Sequence, residues 1–274
     1  MKINKILSIL IVVSMLLLSF SGCGRKVEKK VLLQDGSTGE KIVEESKSFS
    51  DYSKLYYGNQ IDALIQLYAN NCDLAVIDYF TALNYIGKDN DFPLFVIDDS
   101  FTFPNDEYAV GFRKGSDAVN YVNKAISEMF NDGSLKQLAE KYNLSDSLLS
   151  KATFDDVKSS GTESDWEYIK NKGTLVVGIT LFAPINYYNE EGTLIGFDTE
   201  FATAVSKKLG LNVKFEVIEW EEADEMLNNK AIDCVWNTVA VTEERMEYMD
   251  FSISYLQGKQ VAVINTMPAS DLTN

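Results

Sequence analysis

Short apolar runs alternate with amphipathic stretches along most of this chain. Val31-Leu32-Leu33 and Leu74 to Ile77 are almost wholly apolar, the pattern of strands covered on both faces. Ile61 to Tyr68 carries apolar residues at helical spacing. From Val119, apolar residues recur at Val122, Ala125, Ile126, Met129 and Phe130; that is one helix face, and Gly133 is placed to end it. A second helix is expected over Leu135 to Tyr142. Further on, Leu175 to Ile179 reads as a strand. A helix carries Phe201, Val205 and Leu209, with Asp198 as N-cap and Gly210 as C-cap. Val213 to Ile218 and Ile232 to Trp236 read as strands. Strands alternating with helices predict an α/β chain.

Two segments break this pattern. Lys2 and Lys5 precede an uncharged, mostly apolar stretch from Ile6 to Phe20, followed by Ser21-Gly22-Cys23. A positive start, an apolar middle and a small-residue exit describe a secretory signal, and the stretch falls short of the roughly 20 residues of a membrane span. Phe20-Ser21-Gly22-Cys23 resembles a bacterial lipobox, with phenylalanine where leucine is commoner. The expectation is a signal peptide over 1–22, removed to leave a lipid on Cys23, and a tether over 23–28; the alternative is an uncleaved anchor. Lipid chains would hold the rest of the protein at the membrane face. The second segment, Asn143 to Ser164, is rich in Ser, Asp, Lys and Gly, and a linker is expected over 143–165.

Composition then narrows the chemistry. The 274 residues include 41 acidic and 25 basic side chains, no histidine, and a net charge of -16. The length suits one large domain or two medium ones. Without histidine there is no Ser-His-Asp triad, no Cys-His dyad and no imidazole base. The acidity disfavours a nucleic-acid partner and favours a soluble monomer. Cys72 and Cys234 each sit beside an aspartate at the start of an apolar run, so two buried free thiols in separate cores are expected rather than a disulfide. No CxxC, HExxH or EF-hand pattern occurs, so no metal and no cofactor are implied. Binding remains, or catalysis by carboxylates and lysines.

The ordered motifs point further. The second half reads Trp166-Glu167-Tyr168-Ile169-Lys170, Gly173-Thr174-Leu175-Val176-Val177-Gly178 and Phe182-Ala183-Pro184. Then come Gly192-Thr193-Leu194-Ile195-Gly196-Phe197-Asp198, Thr242-Glu243-Glu244-Arg245 and Asp250-Phe251-Ser252. In this order it resembles the start of the bacterial polar amino-acid-binding proteins of ABC importers. The first half carries Gln34-Asp35-Gly36-Ser37-Thr38-Gly39-Glu40, Cys72 to Asp78, Tyr108 to Gly115, Asn131 to Leu135 and Lys141-Tyr142. That half is similar to the remainder of the same family, which normally follows the other.

The resemblance implies a two-lobed α/β fold of the periplasmic-binding-protein type II, with two hinge strands and a circularly permuted order. One lobe would span 29–106, completed by 264–274; the other would span 107–263 and contain the linker. It also implies a site between the lobes. Arg245 would clamp a carboxylate, since a guanidinium fits two oxygens in one plane. Ser37 and Thr38 would offer an anion the start of a helix. Asp78 would face an ammonium. Phe182 and Trp220 would flank a side chain with flat rings. Asn237, Thr238 and Val239 would supply hydrogen bonds. Ala240 stands where relatives often have a hydroxyl. No acidic residue stands near Thr180, which favours a neutral or acidic polar amino acid, although Glu219 beside Trp220 works against this.

The function implied is a lipid-anchored receptor on the extracytoplasmic face of the cell membrane, not an enzyme. It would capture a polar amino acid and deliver it to the permease subunits of an ABC importer. The alternatives are an amino-acid sensor for a signalling receptor and a dehydratase-like enzyme on the same fold.

Overall fold

The computed structural model describes residues 28–149 and 165–266. The expected signal, Cys23 with most of its tether, residues 150–164 of the linker and residues 267–274 lie outside the described residues. The chain begins with β1 (Lys29–Gln34), α1 (Thr38–Glu45), β2 (Tyr52–Tyr57), α2 (Gln60–Tyr68), β3 (Leu74–Asp78), α3 (Tyr79–Tyr85) and β4 (Phe95–Ile97). Next come β5 (Asn105–Arg113), α4 (Ala118–Asn131), α5 (Ser134–Lys141), α6 (Asp165–Lys172) and β6 (Thr174–Ile179). A small hairpin, β7 (Tyr187–Tyr188) and β8 (Leu194–Ile195), leads to α7 (Phe197–Lys208), β9 (Asn212–Val217) and α8 (Ala223–Asn228). The described residues end with β10 (Cys234–Ala240), α9 (Glu243–Tyr248), β11 (Met249–Phe251) and β12 (Leu256–Asn265).

The strands follow the order β2-β1-β3-β12-β5-β10-β6-β9, with β4 on β12 and β11 on β5. This is one arrangement used twice. In the first lobe β2, β1 and β3 are parallel, β12 is antiparallel to β3, and β4 is antiparallel to β12. In the second β9, β6 and β10 are parallel, β5 is antiparallel to β10, and β11 is antiparallel to β5. β12 belongs to both: Leu256 to Lys259 pair with β5, and Gln260 to Val263 pair with β3. One continuous strand thus serves both sheets, changing partner between Lys259 and Gln260.

Both faces of each sheet are covered, which is why the strands read as unbroken apolar runs. Leu32, Leu64, Ile77 and Val263 pack on one side of the first sheet, and Val31, Leu33, Phe49 and Val76 on the other. Phe112, Ile126, Val177 and Phe201 fill one side of the second, with Ile218, Val235 and Met249 opposite. Cys72 and Cys234 are buried free thiols in separate clusters.

Gly133 and Gly210 follow their helices at φ 77° and 72°, the left-handed conformation that ends a helix. Asp198 is not an N-cap. α7 starts at Phe197 after Gly196, and Asp198 is buried inside the first turn with its carboxylate turned towards β10. Gly196 has φ 129°, and a Cβ there would meet the Ile185 carbonyl oxygen at 2.2 Å, so only glycine lets α7 start this close to the hairpin.

The expected linker is partly built into the fold. Ser145–Ser147 forms a 3-10 turn, and the Leu149 N–H donates to the Tyr255 carbonyl at 3.0 Å. At its other end Asp165 starts α6 and pairs with Arg113 at 3.1 Å. Arg113 also reaches Asp233 at 3.3 Å, and Lys172 meets Asp233 at 2.7 Å. Leu32 and Val263 both pair with Ala75. The start of β1 and the end of β12 thus lie at the same end of the sheet, about two strand spacings, or roughly 10 Å, apart.

Candidate functional site

All six parallel strands point their C-terminal ends at one cleft between the lobes, the place where open α/β sheets bind ligands. Its volume is about 440 Å³. Gln34 and Ser37 enter it from the end of β1, Asn59 and Gln60 from β2, and Asp78 from β3. Thr180 and Phe182 enter from β6, Glu219 and Trp220 from β9, and Asn237, Thr238 and Ala240 from β10.

Of the expected site residues, Ser37, Thr38, Asp78, Phe182, Trp220, Asn237, Thr238 and Arg245 all line this cleft. Val239 does not. It is 1 % exposed and packs with Ala109, Met249 and Phe251. The cause is local: the register of β10 on β5 slips between Val235 and Val239, and Thr238 takes φ 46°. This irregularity sends Val239 into the core and leaves Asn237, Thr238 and Ala240 on the cleft.

Arg245 is positioned by its own helix. Thr242 is the N-cap of α9 and accepts the Arg245 N–H at 3.2 Å, so the Thr-x-x-Arg spacing is a capping turn. Arg245 is 8 % exposed. It donates to the Ala240 carbonyl at 3.0 Å and, across the cleft, to the Gly36 carbonyl at 3.1 Å. Burial pulls its pKa down, and Tyr248, Asp106 and Glu244 offset that pull. Glu244 itself pairs with Lys41 of the first lobe at 3.1 Å.

Trp220 has a different geometry from a free ligand wall. Its ring lies 4.9 Å from the Arg245 guanidinium, a cation–π contact, and its Nε1–H donates to the same Gly36 carbonyl at 3.3 Å. Gly36 has φ 68°, and a Cβ there would sit 3.1 Å from the Trp220 ring; conformation and proximity both call for glycine.

Asp78 ends β3 and caps α3, its Oδ1 accepting the Phe80 N–H at 2.8 Å. Its Oδ2 accepts the Tyr108 hydroxyl at 2.6 Å. Burial raises its pKa to about 6 against the pull of Tyr108 and the Phe80 N–H. Ser37 caps α1 by accepting the Glu40 N–H at 3.1 Å, and the Thr38 hydroxyl donates to Asp106 at 3.0 Å. Asn237 acts as a brace. Its Oδ1 accepts from the Thr180 N–H and the Asn186 amide at 2.9 Å each, and its Nδ2 donates to the Thr180 hydroxyl at 2.8 Å.

Sequence reasoning missed Tyr108, Gln34, Gln60 and Gln260. Gln60 links Gln34, at 2.9 Å, to the Asp78 N–H, also at 2.9 Å. Tyr108 and Gln260 reach the cleft on the crossing strands β5 and β12, a long-range placement with no local pattern to mark it. Arg245 is the one cationic side chain lining the cleft among the described residues, against Asp62, Asp78 and Glu219.

Residues 175–269 match the family model of the bacterial extracellular solute-binding proteins, family 3. The L-cystine-binding protein TcyJ of Escherichia coli (strain K12) is 35% identical over 109 residues, covering 39% of this chain and 41% of TcyJ. The L-cystine-binding protein TcyA of Bacillus subtilis (strain 168) is 37% identical over 109 residues, covering 39% and 40%. The glutamine-binding protein of Geobacillus stearothermophilus is 37% identical over 113 residues, covering 39% and 42%. The chain thus spans about two fifths of the length of the curated relatives it matches. These relatives are named as binding proteins. No helix among the described residues is long and apolar enough to cross a membrane.

Proposed function

We propose that this chain is an extracytoplasmic receptor that captures a polar amino acid between its lobes and delivers it to an ABC importer. The observation that carries this reading is the convergence of Arg245, Asp78 and the start of α1 on one cleft between two sheets joined by β5 and β12. Arg245 keeps N–H groups beyond those engaged with Ala240 and Gly36, and these suit a ligand carboxylate. The Asp78–Tyr108 pair suits the ammonium. Phe182 lies along the ligand side chain, and Trp220 orients Arg245 by stacking on it. Ala240 has no hydroxyl to offer, but its carbonyl fixes the guanidinium. Ligand contacts to both lobes would favour the closed arrangement over an open one.

The balance of one lining cation against three carboxylates favours a neutral or cationic ligand over an acidic one, because an acidic side chain would lack a counter-charge. L-cystine and glutamine, named for the relatives, are the first ligands to test. The chain has no histidine to act as an imidazole base, which suits capture rather than turnover.

In this reading residues 29–106 with the end of β12 form one lobe and the intervening chain forms the other. The order is a circular permutation of the family's. The closeness of the β1 start to the β12 end supports it, since a short loop would join them. Cys23 would carry the lipid that holds the receptor at the membrane face. A thermal-shift screen of the protein against the common amino acids and cystine tests the function: a rise in melting temperature with a neutral or cationic polar amino acid is expected. No shift with any of them would sink it.

A further inference from the structure

Thr238 is held in an unusual conformation beside the cleft. It is β-branched and sits at φ 46° inside a strand, a strained state that persists only where its surroundings enforce it. Its backbone N–H is held by Asp198. The Thr238 N–H donates to Asp198 Oδ2 at 2.7 Å, and the Tyr255 hydroxyl lies 2.9 Å from both carboxylate oxygens. Asp198 and Tyr255 are 0% exposed. Among the described residues no ion pair compensates this carboxylate, and a buried acid held only by hydrogen bonds is costly. The three residues come from α7, β10 and the segment entering β12, the strand that crosses between lobes.

We propose that Asp198 is a positioning residue of the amino-acid cleft: steadied by Tyr255, it holds Thr238 left-handed so that Asn237 and Thr238 face the ligand while Val239 anchors in the core. The proposal rests on the cleft being the ligand site. The Thr238 hydroxyl donates to the Asn237 carbonyl at 2.8 Å, so the same turn sets the residue that braces Thr180. Burial lifts Asp198 to about 7, with the Thr238 N–H and Tyr255 opposing the rise. The titratable groups around it are Tyr255 on the segment before β12, Tyr108 on β5 beyond Tyr255, and Tyr142 after α5, whose hydroxyl bonds the Gly196 N–H; all three are tyrosines. Protonation of Asp198 near neutrality would therefore weaken the acceptor that Thr238 needs.

The test uses Asp198→Asn, Asp198→Ala and Tyr255→Phe in the full chain, with two readouts. The first is amide exchange of Thr238 in the ligand-free protein, followed by NMR. Loss of the charged acceptor in Asp198→Ala should speed it about ten-fold or more. The second is affinity against pH for the amino acid that binds best. Wild type should weaken as pH falls through about 7 and again near 6, the second step belonging to Asp78. Asp198→Asn should lose the first step and keep the second. Tyr255→Phe should move the first step to higher pH, since it removes a contact that favours the carboxylate. Should Asp198→Ala fail to fold, the isosteric Asp198→Asn and the Tyr255→Phe profiles decide. Unchanged Thr238 exchange together with an unchanged pH profile overturns the proposal. Should no amino acid bind wild type, the function fails by itself, while Thr238 exchange still decides the positioning role.

Discussion

The Arg245 guanidinium donates to the Gly36 carbonyl at 3.1 Å, a direct bond from one lobe to the other. The group best suited to hold a ligand carboxylate therefore also ties the lobes together. Ligand capture and lobe closure would share one side chain. Arg245→Ala removes both, and truncating a buried hydrogen-bonded charge costs about 2–5 kcal/mol. Affinity should fall about thirty-fold or more, and small-angle scattering of the ligand-free variant should show a larger radius of gyration than wild type.

Asp78 makes stability and affinity respond oppositely to acid. Its pKa rises from 3.8 to about 6 on folding, mainly through burial. Between those values the folded state holds the proton and the unfolded state does not, so stability increases as pH falls through this window. Affinity for an ammonium needs the charged carboxylate and should decline below about 6. Asp78→Asn should flatten its share of both trends and weaken binding at neutral pH. Urea midpoints and calorimetric affinities from about pH 8 to about pH 5 check this; trends of the same slope in the variant and in wild type would contradict it.

Arg113 is 7% exposed between Asp165 and Asp233 and joins α6 to β5 and β10. Arg113→Met would leave two buried carboxylates short of their guanidinium. A loss of about 3–5 kcal/mol in urea unfolding is expected, as for other broken buried pairs. A loss below about 1 kcal/mol would mean that Lys172 and Lys230 suffice to hold them.

The proposed swap of the two halves is open to a direct trial. Residue 266 can be joined to residue 29 by a short loop, and new ends opened within residues 150–164. The β1 start and the β12 end lie at the same end of one sheet, so this rearranged chain should fold and keep the ligand affinity of wild type within a few-fold. An insoluble or non-binding product would count against the permutation.

The parallel strands and their helices were legible because burial on both faces writes itself as apolar runs, as at Val31 to Leu33 and Leu74 to Ile77. Most cleft residues were named through the family resemblance; their common place follows from the strand ends, which converge on ligand sites in open sheets. The side that Val239 faces was not legible, because a left-handed Thr238 interrupts the in–out alternation from which it would be read. Asp198 looked like a cap because its local sequence suits one; its partners lie 40 and 57 residues away. Tyr108 and Gln260 arrive on crossing strands set by pairing register alone. Trp220 matched an aromatic position, but its stacking on Arg245 depends on the turn of α9.

Isothermal titration calorimetry of the protein with each common amino acid and cystine, beside Arg245→Ala, tests the central claim most directly. The account predicts one saturable site for a neutral or cationic polar amino acid, with a Kd of about a micromolar or tighter, and heat largely lost in the variant. Absence of binding heat for every amino acid, or equal binding by wild type and Arg245→Ala, would contradict it.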